Sequence, residues 1–278
     1  MERRRLSYCI WLTGGMMVAE AIGGWLVNSL ALLSDAGHML THCFALLVSF
    51  LAIVFAGRPA TSRVSYGFYR LEILAALFNG LTLLAIAVGI AIAAYARIVH
   101  PEPVNAVPMF WVALLGLAVN IATSVLLRDA GRDDLNVKGA YLHMLGDAWS
   151  SVGVLAGALL MWRWGWYLVD PLLAVGICCL ILVWSWRLIR DAVLVLMEAT
   201  PPHIDVEHVR AMLVREVPGI ADVHDIHAWA ITSGLYAMTA HVRVADLPIS
   251  ETMRIRAAAA KLLDDRFDIT HAILQFEC

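Results

Sequence analysis

Six mostly apolar stretches follow one another before residue 200, at roughly 8–27, 30–55, 73–99, 107–127, 139–162 and 166–190. About 20 apolar residues in helix suffice to cross a hydrocarbon layer of about 30 Å. The first stretch is long and has no small-x-small cleavage site ahead of a soluble domain, so it is expected to remain as a span. After Thr200-Pro201-Pro202 the pattern changes to one with charged residues at ordinary frequency, and the double proline marks a boundary. The tail then predicts a helix from Asp205 to Val217 and a Pro218-Gly219 turn. A strand Ala221–Ile231, a hairpin at Thr232-Ser233-Gly234, a strand Leu235–Ala245, a helix over 250–266 and a strand Ile269–Glu277 complete it. The expected organisation is a six-helix membrane domain at 1–199 and an αββαβ domain at 200–278. Such a tail covers one sheet face with two helices and leaves the other open for a second copy.

Composition agrees with the pattern: the 278 residues are 61% hydrophobic and 15% charged, with a mean hydropathy of +0.75. An ordinary soluble enzyme is excluded. The formal charge of −3 offers no cationic footprint for nucleic acid. Cys9, Cys43, Cys178, Cys179 and Cys278 form no CxxC pair and read as small buried hydrophobes. Arg3, Arg4, Arg5, Arg58, Arg63, Arg70, Arg128, Arg132, Lys138, Arg187 and Arg190 flank the spans on one side, against Arg97 and Arg163 on the other. Positive residues stay inside, so both termini are expected in the cytoplasm.

Ionisable groups within a span cost roughly 2.5 to 3.5 kcal/mol each on insertion scales and mark function by default. Here they cluster. The second span carries His38 and His42, and the fifth carries His143 and Asp147. A spacing of four puts each pair on one helical face. Facing each other across a bundle, three imidazoles and one carboxylate form a tetrahedral donor set suited to Zn²⁺, with no thiolate for Cu(I) and too few carboxylates for Ca²⁺ or Mg²⁺. A single such histidine is more often a bonder between helices; two matched pairs favour metal. Asp35 stands one turn before His38, where it could orient a ligand imidazole. Glu20, Asn79 and Asn120 read equally as bonders between helices or as translocation groups, and Asp170-Pro171 as the capped start of the sixth helix.

These features together resemble the cation diffusion facilitators, most closely the zinc-exporting branch. The resemblance rests on six spans, the paired His and Asp positions, Tyr66-Gly67-Phe68-Tyr69-Arg70-Leu71-Glu72 before the third span, and His224-Asp225-Ile226-His227-Ala228-Trp229 in the tail. It implies a homodimeric Zn²⁺/H⁺ antiporter in the lipid bilayer, in a bacterial inner membrane, with a ferredoxin-like cytoplasmic domain. It further implies that His224, His227, His241, His271 and Glu277 are ligands of cytoplasmic zinc sites. Arg70 before the third span would pair with Glu198 after the sixth. Strand parity conflicts with the full tail set, because His224 and His227 would face opposite ways on a regular strand. The departure from the family pattern is His42, where zinc exporters usually carry Asp. One carboxylate then leaves the loaded site at +1, from which weaker divalent retention, an altered proton stoichiometry, or a preference shifted toward Cd²⁺, Co²⁺ or Ni²⁺ is expected. The alternative from another class is a haem-binding membrane redox protein with axial histidines from two spans; it leaves Asp147 unexplained.

Overall fold

The structure is a computed structural model that describes residues 2–40, 43–44, 65–128 and 135–278, with side chains described at 11–40, 43–44, 65–125 and 146–278. The elements are α1 (Glu2–Val27), α2 (helical over 30–40), α3 (Arg70–Val99), α4 (Ala106–Arg128), α5 (Leu135–Trp164), α6 (Val169–Leu196), α7 (Val206–Glu216), β1 (Ile220–Thr232), β2 (Leu235–Val244), α8 (Ile249–Phe267) and β3 (His271–Glu277). Two compact units result: residues 1–49 with 78–188, and residues 50–77 with 189–278.

Among the described residues, three helices are long and apolar enough to cross a membrane: Arg70–Val99, Ala106–Val125 and Val169–Leu196. At 26 and 30 residues, α1 and α5 also exceed the length that a bilayer requires. The second expected span lies outside the described residues beyond 44. Within the first unit, small residues let the helices approach closely: Ala87, Ala94, Ala158 and Ala174 are fully buried. Larger side chains, among them Leu83, Met109, Met161 and Ile181, fill the space between them. Trp11, Trp25, Phe78, Tyr95, Trp111 and Trp149 point outward, an apolar exposure that suits the lipid surroundings of a membrane domain. Cys178 is buried and donates to the Ala87 carbonyl, whereas Cys179 and Cys278 are exposed, contrary to the expectation for them. Cys179 falls, with Leu180, on the exposed side of α6, while Ile177 and Cys178 face the core.

The second unit contains a three-stranded sheet in the order β1-β2-β3, antiparallel between β1 and β2 and parallel between β2 and β3. Its elements run αββαβ, and Gly234 turns the hairpin at φ +73°. Asp205 caps α7, its carboxylate accepting from the backbone N–H groups of Glu207 and His208. Val209 and Leu213 of α7 and Ala259 and Leu263 of α8 pack with Val223, Met238 and Val242 of the sheet. Asp222 fastens these layers: Arg210 of α7 bonds one carboxylate oxygen at 2.9 Å and Arg243 of β2 the other at 2.5 Å. Hydrogen bonding from Arg210 first, and from Arg243, holds the Asp222 carboxyl down at about 2, against an ordinary 3.8.

Candidate functional site

In the first unit α2 and α5 bring together two of the expected intramembrane residues. His38 Nε2 lies 3.0 Å from Asp147 Oδ1, with the two residues 5% and 3% exposed. The Trp184 ring of α6 stands 4.9 Å from the His38 ring. Asp35 accepts from Ser150 Oγ at 3.0 Å, and that hydroxyl is also 2.8 Å from the Asp147 carbonyl. Ser151 donates to the same carbonyl, and Asn120 of α4 donates to Ser151. These bonds join α4 to α5 and hold the backbone from which Asp147 projects. His143 lies one turn earlier on α5, with its side chain outside the described residues; His42 lies outside them altogether.

A buried imidazole and carboxylate 3.0 Å apart share one proton, on Nε2 or on the carboxyl. The same two lone pairs can hold a divalent cation in its place, and binding it requires that proton to leave. Chemically, an arrangement of this kind can take a metal or a proton, one at a time.

The tail gathers a second group. His224 Nε2 lies 3.2 Å from Glu277 Oε1, and His241 Nδ1 lies 3.2 Å from Glu277 Oε2. One donor atom from each of the three falls within 4.8 Å of the others, close enough to hold a metal ion. Strand pairing explains the meeting: His224 of β1 is opposite His241 of β2, which is opposite Gln275, two residues before Glu277 on the same face of β3.

The parity conflict between His224 and His227 is removed by a bulge. From His224 to His227 β1 advances three residues while β2 advances two, from His241 to Thr239. Asp225 takes up the extra residue at φ 50°. His227 therefore shares the face, its Nε2 3.2 Å from Asp225 Oδ1, while Asp225 Oδ2 stands 4.0 Å from His241 Nε2. Asp225, absent from the expected ligands, sits between two of them. His271 does not join the group. Six residues before Glu277 at about 3.3 Å each, it is roughly 20 Å away along β3, with its ring 6.1 Å from that of Tyr66.

Two further residues take places other than those expected of them. Asp170, expected to cap its own helix, instead accepts from the first turn of α2. Trp184, against His38, had no signal in the sequence beyond its place in an apolar run. Arg70 Nη2 lies 2.7 Å from Glu198 Oε1.

The chain matches the family model described as the cation efflux transmembrane domain over residues 6–197 and that of the cation efflux protein cytoplasmic domain over 201–278. It is 41% identical over 276 residues to the metal cation efflux system protein CzcD of Cupriavidus metallidurans, covering 99% of this chain and 87% of that one. It is 39% identical to the cadmium, cobalt and zinc/H(+)-K(+) antiporter of Bacillus subtilis, over 95% and 85% of the two chains. To the zinc transporter ZitB of Escherichia coli it is 38% identical, over 99% and 87%. Among solved structures, a metal-bound C-terminal domain of the C. metallidurans CzcD transporter matches at 36% identity over 27% of this chain and 100% of that one, with a TM-score of 0.25.

Proposed function

The chain belongs to the cation efflux family, and from that premise we propose that it exports divalent transition-metal cations, Zn²⁺ foremost, from the cytoplasm in exchange for protons. The family is one of membrane transporters, and the chain is an integral membrane transporter and not an enzyme. The working molecule is a homodimer in a bacterial inner membrane. Each protomer has six spans in residues 1–199, cytoplasmic termini and a ferredoxin-like cytoplasmic domain at 200–278.

The cargo is held by His38, His42, His143 and Asp147, and the observation that carries this is the buried pairing of His38 with Asp147 at 3.0 Å. Alternating access needs a site whose occupants exclude each other. With cytoplasmic access the cation displaces the protons; with access from the far side, protonation of imidazole and carboxylate releases the cation. Cd²⁺ and Co²⁺ enter the cargo range because nitrogen-rich sites accept them, and the names of relatives include both metals. In the tail, His224, His241 and Glu277 form the zinc site, with Asp225 and His227 beside it. The Arg70–Glu198 pair acts as the hinge between bundle and tail. Family membership and the carboxylate facing His38 both weigh against haem.

The test is gradient-driven uptake in reconstituted vesicles, comparing Zn²⁺, Cd²⁺, Co²⁺, Ni²⁺ and Mn²⁺ for the wild type and Asp147→Ala. Zinc uptake that follows the proton gradient and is abolished by Asp147→Ala is the expected result. Transport of no ion by either protein, or a Soret band in the purified protein, overturns the reading.

A further inference from the structure

Asp170 is 0% exposed, and among the described residues the partners of its carboxylate all lie outside its own helix. Its Oδ1 accepts from Ser29 Oγ at 2.5 Å and from the Ala31 N–H at 3.2 Å; its Oδ2 accepts from the Leu30 N–H at 2.8 Å. Arg97 Nη1, at 3.3 Å from Oδ2, brings the opposite charge that a buried carboxylate requires. Arg97 also bonds the Asn28 carbonyl and side chain, and Asn28 donates to Glu102 at 3.0 Å.

A helix start leaves four backbone N–H groups without partners inside the helix. At the start of α2 the Ser29 N–H goes to the Gly24 carbonyl at 2.8 Å, those of Leu30 and Ala31 go to Asp170, and that of Leu32 goes to Ser29 Oγ at 3.2 Å; the Leu33 N–H, 3.3 Å from the Ser29 carbonyl, makes the first regular helical bond. Ser29 alone is a competent local cap. A carboxylate from α6 added to it does what no local cap can: it ties the start of α2 to another helix. His38 lies eight residues on, about 12 Å along α2, and there α2 meets α6 again through the Trp184 ring at 4.9 Å. The two helices are thus linked at two levels. Sliding or turning α2 against α6 would break the Asp170 bonds and shift His38 from Asp147 together.

Resting on the reading that His38 and Asp147 hold the cargo, we propose that Asp170 is a positioning residue of the transport site. It sets the height and rotation of α2 and so the donor geometry that His38 presents to the metal. It does not touch the cargo. Removing it leaves the ligands in the chain but loosens their spacing, and residues that orient metal ligands typically change affinity about 10- to 100-fold.

The experiment measures zinc transport against concentration in proteoliposomes, with the thermal unfolding midpoint of each protein, for the wild type, His38→Ala, Asp170→Ala and the double variant Asp170→Ala/Ser29→Asp. The double variant gives α2 a charged local cap without a link to α6. The expected result is that His38→Ala abolishes transport and that Asp170→Ala raises KM about 10- to 100-fold while the maximal rate largely persists. In the double variant the unfolding midpoint returns toward wild type but the raised KM stays. If the double variant recovers the wild-type KM, or Asp170→Ala never loses it, Asp170 is only a helix cap and the proposal falls. Should Asp170→Ala fail to fold, the double variant decides on the same criterion. A His38→Ala protein that transports zinc normally overturns the site reading itself, a result distinct from the others.

Discussion

Arg70 reaches Glu198 at 2.7 Å, and Glu198 holds a left-handed backbone, φ 57°, at the end of α6. The Ala199 N–H bonds the Leu194 carbonyl at 3.0 Å and the Glu198 N–H bonds the Val195 carbonyl at 3.1 Å, so Glu198 stands where a helix end usually carries glycine. Both partners are about half exposed, and such a pair contributes roughly 0 to 1 kcal/mol. Backbone and side chain can therefore be separated. Glu198→Gly removes the pair and relieves the backbone, whereas Glu198→Ala removes the pair and keeps the strain, which costs about 1 kcal/mol. Thermal unfolding should rank Gly above Ala. If the pair is the hinge, both variants slow transport alike and the Arg70→Glu/Glu198→Arg swap restores it. Normal transport in every variant removes the hinge role.

The tail group supplies a binding prediction. Zinc at about a hundredfold over its dissociation constant should stabilise the sheet by roughly 2.7 kcal/mol, read as slowed hydrogen exchange in β2 and β3 of the full chain. His241→Ala and Glu277→Ala should abolish that protection, because each removes a donor from the group within 4.8 Å. His271→Ala should leave it intact. Loss of protection in His271→Ala alone would assign the site elsewhere on the sheet.

Asp222 ties α7, β1 and β2 together, and its carboxyl is held at about 2 in the folded chain against an ordinary 3.8. A carboxyl lowered on folding stabilises the fold above its unfolded value, and that stabilisation is lost as pH falls through the folded value. The window is therefore roughly pH 4 down to 2. Hydrogen exchange in the hairpin should accelerate across it in the wild type and change less in Asp222→Asn, which is already weakened at neutral pH. Parallel pH profiles for the two would contradict this role.

With His42 as the fourth ligand, as proposed, the loaded transport site has a formal charge of +1, one carboxylate short of a charge-neutral site. His42→Asp brings it to zero, so zinc should bind more tightly through the added opposite charge, and the ranking of Zn²⁺ against Co²⁺ and Ni²⁺ should shift. Competition transport assays check this. Unchanged affinity, ranking and proton coupling would show that charge at this position does not select the cargo.

The meeting of His38 and Asp147 was legible from periodicity, since a spacing of four on each of two helices and a bundle suffice to bring them together. The tail elements were legible for the same reason: alternation, a capping Asp205 and the Ser233-Gly234 turn are local signals. What escaped depends on partners distant in sequence. Asp170-Pro171 has the local form of a helix start, and nothing near it announces that its carboxylate serves α2, 140 residues away. Strand parity alone sets His227 opposite His224, and only a bend reconciles them; the bulge supplies it, and its signal was Asp225, one of the few residue types that tolerate a left-handed backbone. His271 shares the face of Glu277 but not its position, a matter of distance along β3 that residue type does not reveal.

Replacement of protons by metal between His38 and Asp147 is the core of the proposed mechanism. It is tested most directly by titrating zinc into purified protein carrying His241→Ala and Glu277→Ala, in weakly buffered solution near neutral pH, while recording bound zinc and released protons together. Proton release in proportion to zinc bound, both lost when Asp147→Ala is added, is the predicted result. Zinc binding without proton release, or the same release in the Asp147→Ala background, would contradict it.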